Sequence, residues 1–401
     1  MASDGAQAAG RSDRPLRILY SFPDTLGAPG IGVAARNHTH ELARLGHEVH
    51  VYCTAVAGEP PDVHGLVTTL SAAGVRVPHR ALGRQRAYRY HDRRVAGALS
   101  RLAGALDVAH VWPRATLATA AAGRRVGVPT LREAPNTHTA FAYERVAEET
   151  ARLGLTAAAG HSHEGTAEAL RLEEQEYEAA DMVAVLSEYV RRTFVDRGFG
   201  PERLGMHAYG FDPGRFPVPE DGRPSRDGGL RAVFVGRCEP RKGLHYALEA
   251  WTASGAAERG TFVICGNFYP GYEQVLERWL RHPSVRVQGW VDDPGRLMRE
   301  SDVFLFPSIE EGSAFVTYEA QASGCALVVS DATGARCTHL QQGLVHEAGD
   351  LATLTEHLRL LDGDPELLER LRANAVASRP TLTWAHSARE IEGLYRELVA
   401  R

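Results

Sequence analysis

LRILYSFPDTLGAPGIGVAARNHTHELARLGHEVHVYC, Leu16 to Cys53, passes through three patterns in succession. LRILYSFP is a short apolar run of the kind that opens an α/β domain, and GAPGIG (Gly27 to Gly32) is a glycine-rich loop. The next stretch carries helical apolar spacing at Val33, Leu42 and Leu45, with Gly46 where a helix C-cap belongs. HEVHVYC then alternates as a strand does. Strand, loop, helix and strand make one βαβ unit.

The rhythm continues outward from that unit. DVAHVW (Asp107 to Trp112) is a strand, TLATAAAGRRVG a helix and PTLRE (Pro129 to Glu133) a strand. An Ala- and Glu-rich stretch without clear period runs to about Glu178. DMVAVLS (Asp181 to Ser187) returns to strand, and SEYVRRTFVDRG is a helix with Ser187 as its N-cap. Composition breaks at FDPGRFPVPEDGRPSRDGG (Phe211 to Gly229), dense in Pro, Gly and charge, which marks an interdomain linker. Beyond it, LRAVFVG, TFVICG, VRVQGW, DVFLFPS and CALVVSD are short runs, several apolar nearly throughout. Parallel strands covered on both faces require that. The expected architecture is α/β, with two Rossmann-like doubly wound domains facing a cleft. Its parts are a flexible tail (1–15), an N-terminal domain (16–212), a linker (213–229) and a C-terminal domain (230–380). A closing helix (381–401) is expected to pack back toward the N-terminal domain.

The totals agree with two domains. A chain of 401 residues exceeds the roughly 250–300 at which single cores stop growing. Hydrophobic content of 44% and charged content of 24% are those of a globular protein. A net charge of -5 argues against a general nucleic-acid binder. No apolar run approaches the ~20 residues that span a bilayer, and the start lacks a secretory h-region. The five cysteines are scattered without a CxxC pair, which fits a reducing, cytoplasmic setting with at most peripheral membrane contact.

Ligands of doubly wound sheets bind beyond the carboxyl ends of the strands, so residues just after strands carry the chemistry. After VFVG comes GRCEPRKG, with Gly236, Arg237, Arg241, Lys242 and Gly243 in one loop and helix start. Arg offers a planar fork to phosphate oxygens and Lys a compact point charge. Together they suit a pyrophosphate leaving group, whose charge grows as its bond to a sugar breaks. Lys242 is the only lysine in the chain, and an Arg-biased sequence that keeps one Lys points at this position.

FLFPSIEEGSAFVTYEAQASG (Phe304 to Gly324) is the second motif. A strand ends at Pro307 and Ser308, an acidic turn follows, and a helix is expected from near Ser313, whose first N–H groups suit an anion. Glu311 falls near a donor's sugar. Glu319, about two turns into the helix, can accept both hydroxyls of a ribose.

Arg237 and Lys242, followed by Glu311 and Glu319 with seven residues between them, resemble the signature of retaining glycosyltransferases of family 4, whose fold is called GT-B. The likeness extends to GHEVHVY, EYEAADMVAVLSEYV, YGFDPGRF, VRVQGWVDD and TWAHSAREIEGLYREL. It implies that the C-terminal domain holds a nucleotide-sugar donor, with Arg237 and Lys242 on the diphosphate and Glu319 on the ribose. Glu311 and the backbone of Ser313, Ala314 and Phe315 would contact sugar and phosphate. Transfer with retention, without a metal or cofactor, is implied too; Asp292 and Asp293 look like a solvated turn. The N-terminal domain would receive an acceptor hydroxyl of unspecified origin, with Gly30 and Gly32 letting backbone approach. The family's sugar-contacting His, after the strand equivalent to PTLRE, falls here on Ala134 and Pro135 within REAPNTH; His138 and Asn136 are the substitutes, His110 a weaker one. His161 and His163 form an incomplete zinc set and are expected in a loop near the acceptor cleft. The competing readings are a nucleotide-sugar-binding protein without turnover, or an epimerase or hydrolase on this scaffold. A phosphorylase would need a second lysine.

Overall fold

Strands buried on both faces need helices on both sides, and that is how the chain is arranged. The computed structural model describes residues 14–72, 75–76, 83–156, 165–218 and 228–401. His161, His163, the tail 1–13 and the linker centre 219–227 lie outside them.

Seven parallel strands form the first sheet, in the order β3-β2-β1-β6-β7-β8-β9. They are β1 (Arg17–Leu26), β2 (Glu48–Val56), β3 (Gly65–Thr68), β6 (Val108–Val111), β7 (Thr130–Ala134), β8 (Met182–Val185) and β9 (Leu204–Met206). A two-stranded ribbon pairs β4 (Ser71–Ala72) with β5 (Val75–Arg76). Helices α1 (Ile31–Arg44), α2 (Arg84–Arg101), α3 (Leu117–Val126), α4 (Thr139–Arg152), α5 (Ala167–Ala179) and α6 (Glu188–Val195) belong to this half. The Ser187 hydroxyl caps α6 through the Val190 N–H at 3.2 Å. The Ala- and Glu-rich stretch contributes α4 and α5, two helices where no period was legible.

The second sheet has the order β12-β11-β10-β13-β14-β15, all parallel. Its strands are β10 (Arg231–Val235), β11 (Thr261–Cys265), β12 (Val285–Gly289), β13 (Val303–Phe306), β14 (Ala326–Ser330) and β15 (Gly343–His346). Central β13 and β14 are buried at every residue, whereas edge strand β12 is mostly exposed. Helices α7 (Leu244–Ala253), α8 (Tyr272–Leu280), α9 (Pro294–Glu300), α10 (Phe315–Ala322), α11 (Leu351–Gly363) and α12 (Pro365–Ala377) cover it. Strand order reverses between β1 and β6 in one sheet and between β10 and β13 in the other. These reversals are where doubly wound sheets leave a crevice.

The last helix, α13 (Trp384–Ala400), returns to the first sheet and packs on α1, β6 and β9. Phe211, where the chain leaves the first half, and Thr383, where it returns, pair as a short parallel bridge. Trp384 stands with its ring 5.7 Å from both His38 and Phe315, touching both halves at once.

Under α13 lies a fully buried polar cluster. The Glu133 carboxylate on β7 is 3.1 Å from His207 Nε2 and 3.3 Å from His110 Nε2, and the Tyr395 hydroxyl of α13 is 2.7 Å from His110 Nδ1. Burial opposes charge on Glu133, but His207 and His110 outweigh it and hold the carboxyl well below its usual range. Burial likewise works against a charged His207, and Glu133 overcomes it, raising the imidazole. Glu133→Gln should therefore cost about 3 kcal/mol near pH 6, read as a lower urea midpoint. The Glu133 contribution is lost as pH falls below the unfolded carboxyl value. The His207 contribution is lost as pH rises through that group's raised value, so the gap between the two proteins narrows at both ends. A gap independent of pH would contradict the ion pair.

Candidate functional site

The two halves enclose a cleft of about 760 Å³. Gly30 and Val33 at the start of α1 line one side; Gly236, Arg237, Phe315 and Glu319 line the other. Both loops of the second half come from the β10/β13 reversal.

Beyond β10, the 3₁₀ turn Pro240–Lys242 ends at Gly243, whose φ is 69°. A Cβ on Gly243 would stand 1.9 Å from the Pro307 carbonyl oxygen, so only glycine lets this loop lie on the end of β13. That close approach sets Lys242 against Glu311, and their side chains are hydrogen-bonded. Arg241 lies 3.1 Å from the same Glu311 oxygen and 3.2 Å from Glu310. Phe306 forms a ring face 5.5 Å from the Lys242 ammonium. Burial and the Arg241 charge push the ammonium well down, while Glu239 and Glu310 oppose them. An ammonium held in a dry, partly compensated place gains most when a phosphate dianion arrives. Arg237 is the outer cation, more than half exposed and 3.7 Å from Glu239.

Beyond β13, Glu311 is buried in the loop and Glu319 faces the cleft from α10. Among the described residues no hydrogen bond reaches the Glu319 carboxylate, and burial pushes it up to about 7 against the pull of Arg215. A half-buried carboxylate with open lone pairs is suited to accept two hydroxyls.

Helix α10 begins at Phe315, two residues later than expected. The reason is local: Ser313 is held by the Tyr318 hydroxyl (2.6 Å), and the Ala314 N–H is donated to the Thr333 carbonyl (3.0 Å). Ala314 is thus spoken for in this arrangement, and Phe315 and Val316 form the turn that opens on the cleft. Gly30 caps α1, while Gly32 lies in its first turn, buried against the Thr25 carbonyl.

His138 is not brought to the cleft. It is the N-cap of α4, its Nδ1 accepting from the Ala140 N–H at 3.3 Å, and its ring packs between Tyr177 and Phe194. Burial pushes it down to about 4, with Arg197 adding to the effect. Neighbouring Thr137 crosses the gap instead, its hydroxyl donating to Glu310 at 2.7 Å. A Cβ on Gly312 would sit 2.0 Å from the Pro135 carbonyl oxygen, so the REAPNTH loop touches the Glu311 loop backbone to backbone. His110 is buried under α13, where it bonds the Tyr395 hydroxyl.

Arg241 was named without a role and Glu310 was missed; each adjoins a residue already assigned, and only tertiary contact gives it a separate task. Trp290 at the rim of the cleft was also missed, although 72% exposed. Its place directly after β12 was the available signal.

Residues 29–215 match the family described as Glycosyltransferase Family 4, and residues 229–364 the family described as Glycosyl transferases group 1. The D-inositol 3-phosphate glycosyltransferase of Jonesia denitrificans is 25% identical over 410 residues, covering 93% of this chain and 92% of that protein. O-antigen chain mannosyltransferase B of Escherichia coli is 25% identical over 174 residues, which are 42% of this chain and 46% of that one. Among solved structures, sucrose-phosphate synthase from Thermosynechococcus elongatus superposes with a TM-score of 0.67 at 18% identity, covering 96% of this chain and all of that one. Anabaena HepE in complex with UDP and glucose does so with a TM-score of 0.62 at 16% identity, with coverage of 96% and 100%.

Proposed function

We infer that this chain, which belongs to the group 1 glycosyltransferases of GT-B fold, moves a sugar from a nucleotide diphosphate to an acceptor hydroxyl with retention and without a metal. The observation that carries the reading is the cluster at the β10/β13 reversal. Arg237 and Glu319 line the cleft there, and in the same pair of loops Lys242 and Glu311 are hydrogen-bonded to each other.

In this reading Glu319 takes the ribose hydroxyls and Arg237 the outer phosphate oxygens. Lys242 exchanges part of its bond with Glu311 for the inner phosphate. The freed Glu311 oxygen then accepts from a sugar hydroxyl. The bond from the anomeric carbon to phosphate oxygen breaks, and a bond to the acceptor oxygen forms on the same face. The departing phosphate oxygen takes the acceptor's proton. Charge growing on that oxygen is met by fixed cations, the work a metal ion does elsewhere. HepE was crystallised with UDP and glucose, which makes uridine donors the first to test.

UDP-sugars should bind and release UDP when acceptor is supplied. Binding without release under any acceptor would favour a non-catalytic sugar-nucleotide binder, and release without acceptor a hydrolase. The Glu319 carboxyl near 7 adds a pH signature. Ionised, it accepts both hydroxyls; protonated, it has less to offer. UDP affinity should thus fall up to about tenfold between pH 8 and pH 6, and Glu319→Gln should remove that part of the profile. Identical profiles for both proteins would place the ribose elsewhere.

A further inference from the structure

A second cavity system lies at the other reversal, between β1 and β6. One chamber of about 230 Å³ is walled by Asp24 from β1, Arg114 from the loop after β6, and Pro135 and Asn136 from the loop after β7. An adjoining chamber of about 450 Å³ shares Arg84, Tyr88 and Arg114 with it. Pro135 also meets Gly312, so the first chamber opens beside the loop that carries Glu311.

We propose that this cavity holds the acceptor of the transfer reaction inferred above, and that the acceptor carries a phosphate group bound by Arg84 and Arg114. The proposal rests on that reaction for the acceptor's role, and on charge balance for its chemistry. The carboxylates in the walls are committed. Asp24 accepts from the Tyr88 hydroxyl at 3.1 Å and from the Thr25 N–H. Asp92 accepts from two backbone N–H groups and the Thr119 hydroxyl. Glu176 accepts from the Arg114 and Thr116 N–H groups and pairs with Arg132. Glu173 is bound by Arg132 at 2.6 Å, leaving Arg114 a looser 3.5 Å contact, and Glu168 is held by Gln85 at 2.7 Å. Arg84 and Arg93 have no ion-pair partner among the described residues. The walls thus carry cations in excess of the free carboxylates.

Two local features agree. Arg114 has φ 72°, a left-handed conformation that costs a non-glycine residue on the order of 1 kcal/mol. A turn alone would be cheaper with Gly or Asn; keeping Arg there directs a guanidinium into the chamber. Arg84 opens α2 with no acidic residue in the first turn and no side-chain cap, so like charges meet until an anion arrives. A guanidinium pair matches phosphate oxygens in geometry as well as charge.

The test uses the full chain, with and without saturating UDP, and calorimetric titration of glucose 6-phosphate against glucose. Sedimentation with phosphatidylcholine vesicles, with and without phosphatidylglycerol, runs in parallel. Glucose 6-phosphate should bind about tenfold more tightly than glucose to the UDP-loaded protein. Arg84→Ala should erase that advantage, and Arg84→Lys keep part of it, with UDP affinity unchanged in both. Arg84-dependent binding of phosphatidylglycerol vesicles alone would also support the site, with a lipid headgroup as the source of the phosphate. If neither probe binds in an Arg84-dependent way, the proposal falls whatever UDP does. If UDP fails to bind while glucose 6-phosphate still binds through Arg84, the donor assignment falls and the anion site stands.

Discussion

Lys242→Ala should lower kcat/KM for sugar transfer by a factor on the order of 10²–10³, the usual cost of deleting one fixed charge that faces a developing anion. UDP affinity should weaken as well, because in the proposed reaction the ammonium serves bound diphosphate and transition state alike. Stability should change little. Arg241 stays 3.1 Å from Glu311, so the carboxylate left behind keeps a cationic partner. Lys242→Arg should rescue only in part, since Phe306, Arg241 and Glu311 already crowd the ammonium and a planar fork needs more room. UDP release from a UDP-sugar, measured beside a melting curve, separates lost chemistry from lost fold. A folded alanine variant with unchanged turnover would remove Lys242 from the donor site.

Deleting residues 381–401 should abolish cooperative folding of the first sheet's half. Trp384, Ile391, Tyr395 and Leu398 are buried, and each large side chain is worth about 1.5–3 kcal/mol. Their sum reaches the ~5–15 kcal/mol that holds a whole domain. The deletion also strips His110 of the Tyr395 hydroxyl and the Ala208 N–H of Glu390, leaving polar groups exposed beside a charged cluster. Circular dichroism melting should show a lost or broadened transition. Tyr395→Phe, which removes only the hydroxyl, should cost about 1 kcal/mol and keep the fold. A truncated chain that melts like the full one would show that α13 merely covers the surface.

The second half was legible as a fold, and its candidate residues could be named because they follow strand ends in chain order. Arg237, Lys242, Glu311 and Glu319 each sit within a short reach of β10 or β13, and strand patterns were clear there. What escaped depends on residues distant in sequence. Glu133 and His207 form an ion pair across 74 positions, and nothing beside either one signals a buried charge. His138 was a candidate as a histidine after a strand. The helix that starts at Thr139 makes it a cap and turns its ring into the core instead. The stretch before Glu178 hid α4 and α5 because Ala and Glu suit a helix on any face and blur the apolar stripe.

The bridge between Phe211 and Thr383 bears on how the molecule can move. A chain that passes once between two lobes leaves a swivel, free to turn about many axes. Two passes tied together side by side leave a door hinge, and the lobes are then restricted largely to swinging about the line of the bridge. Gly312 against Pro135 is a second place where the two halves meet backbone to backbone, and under the transfer reaction proposed above such a swing would have to part it.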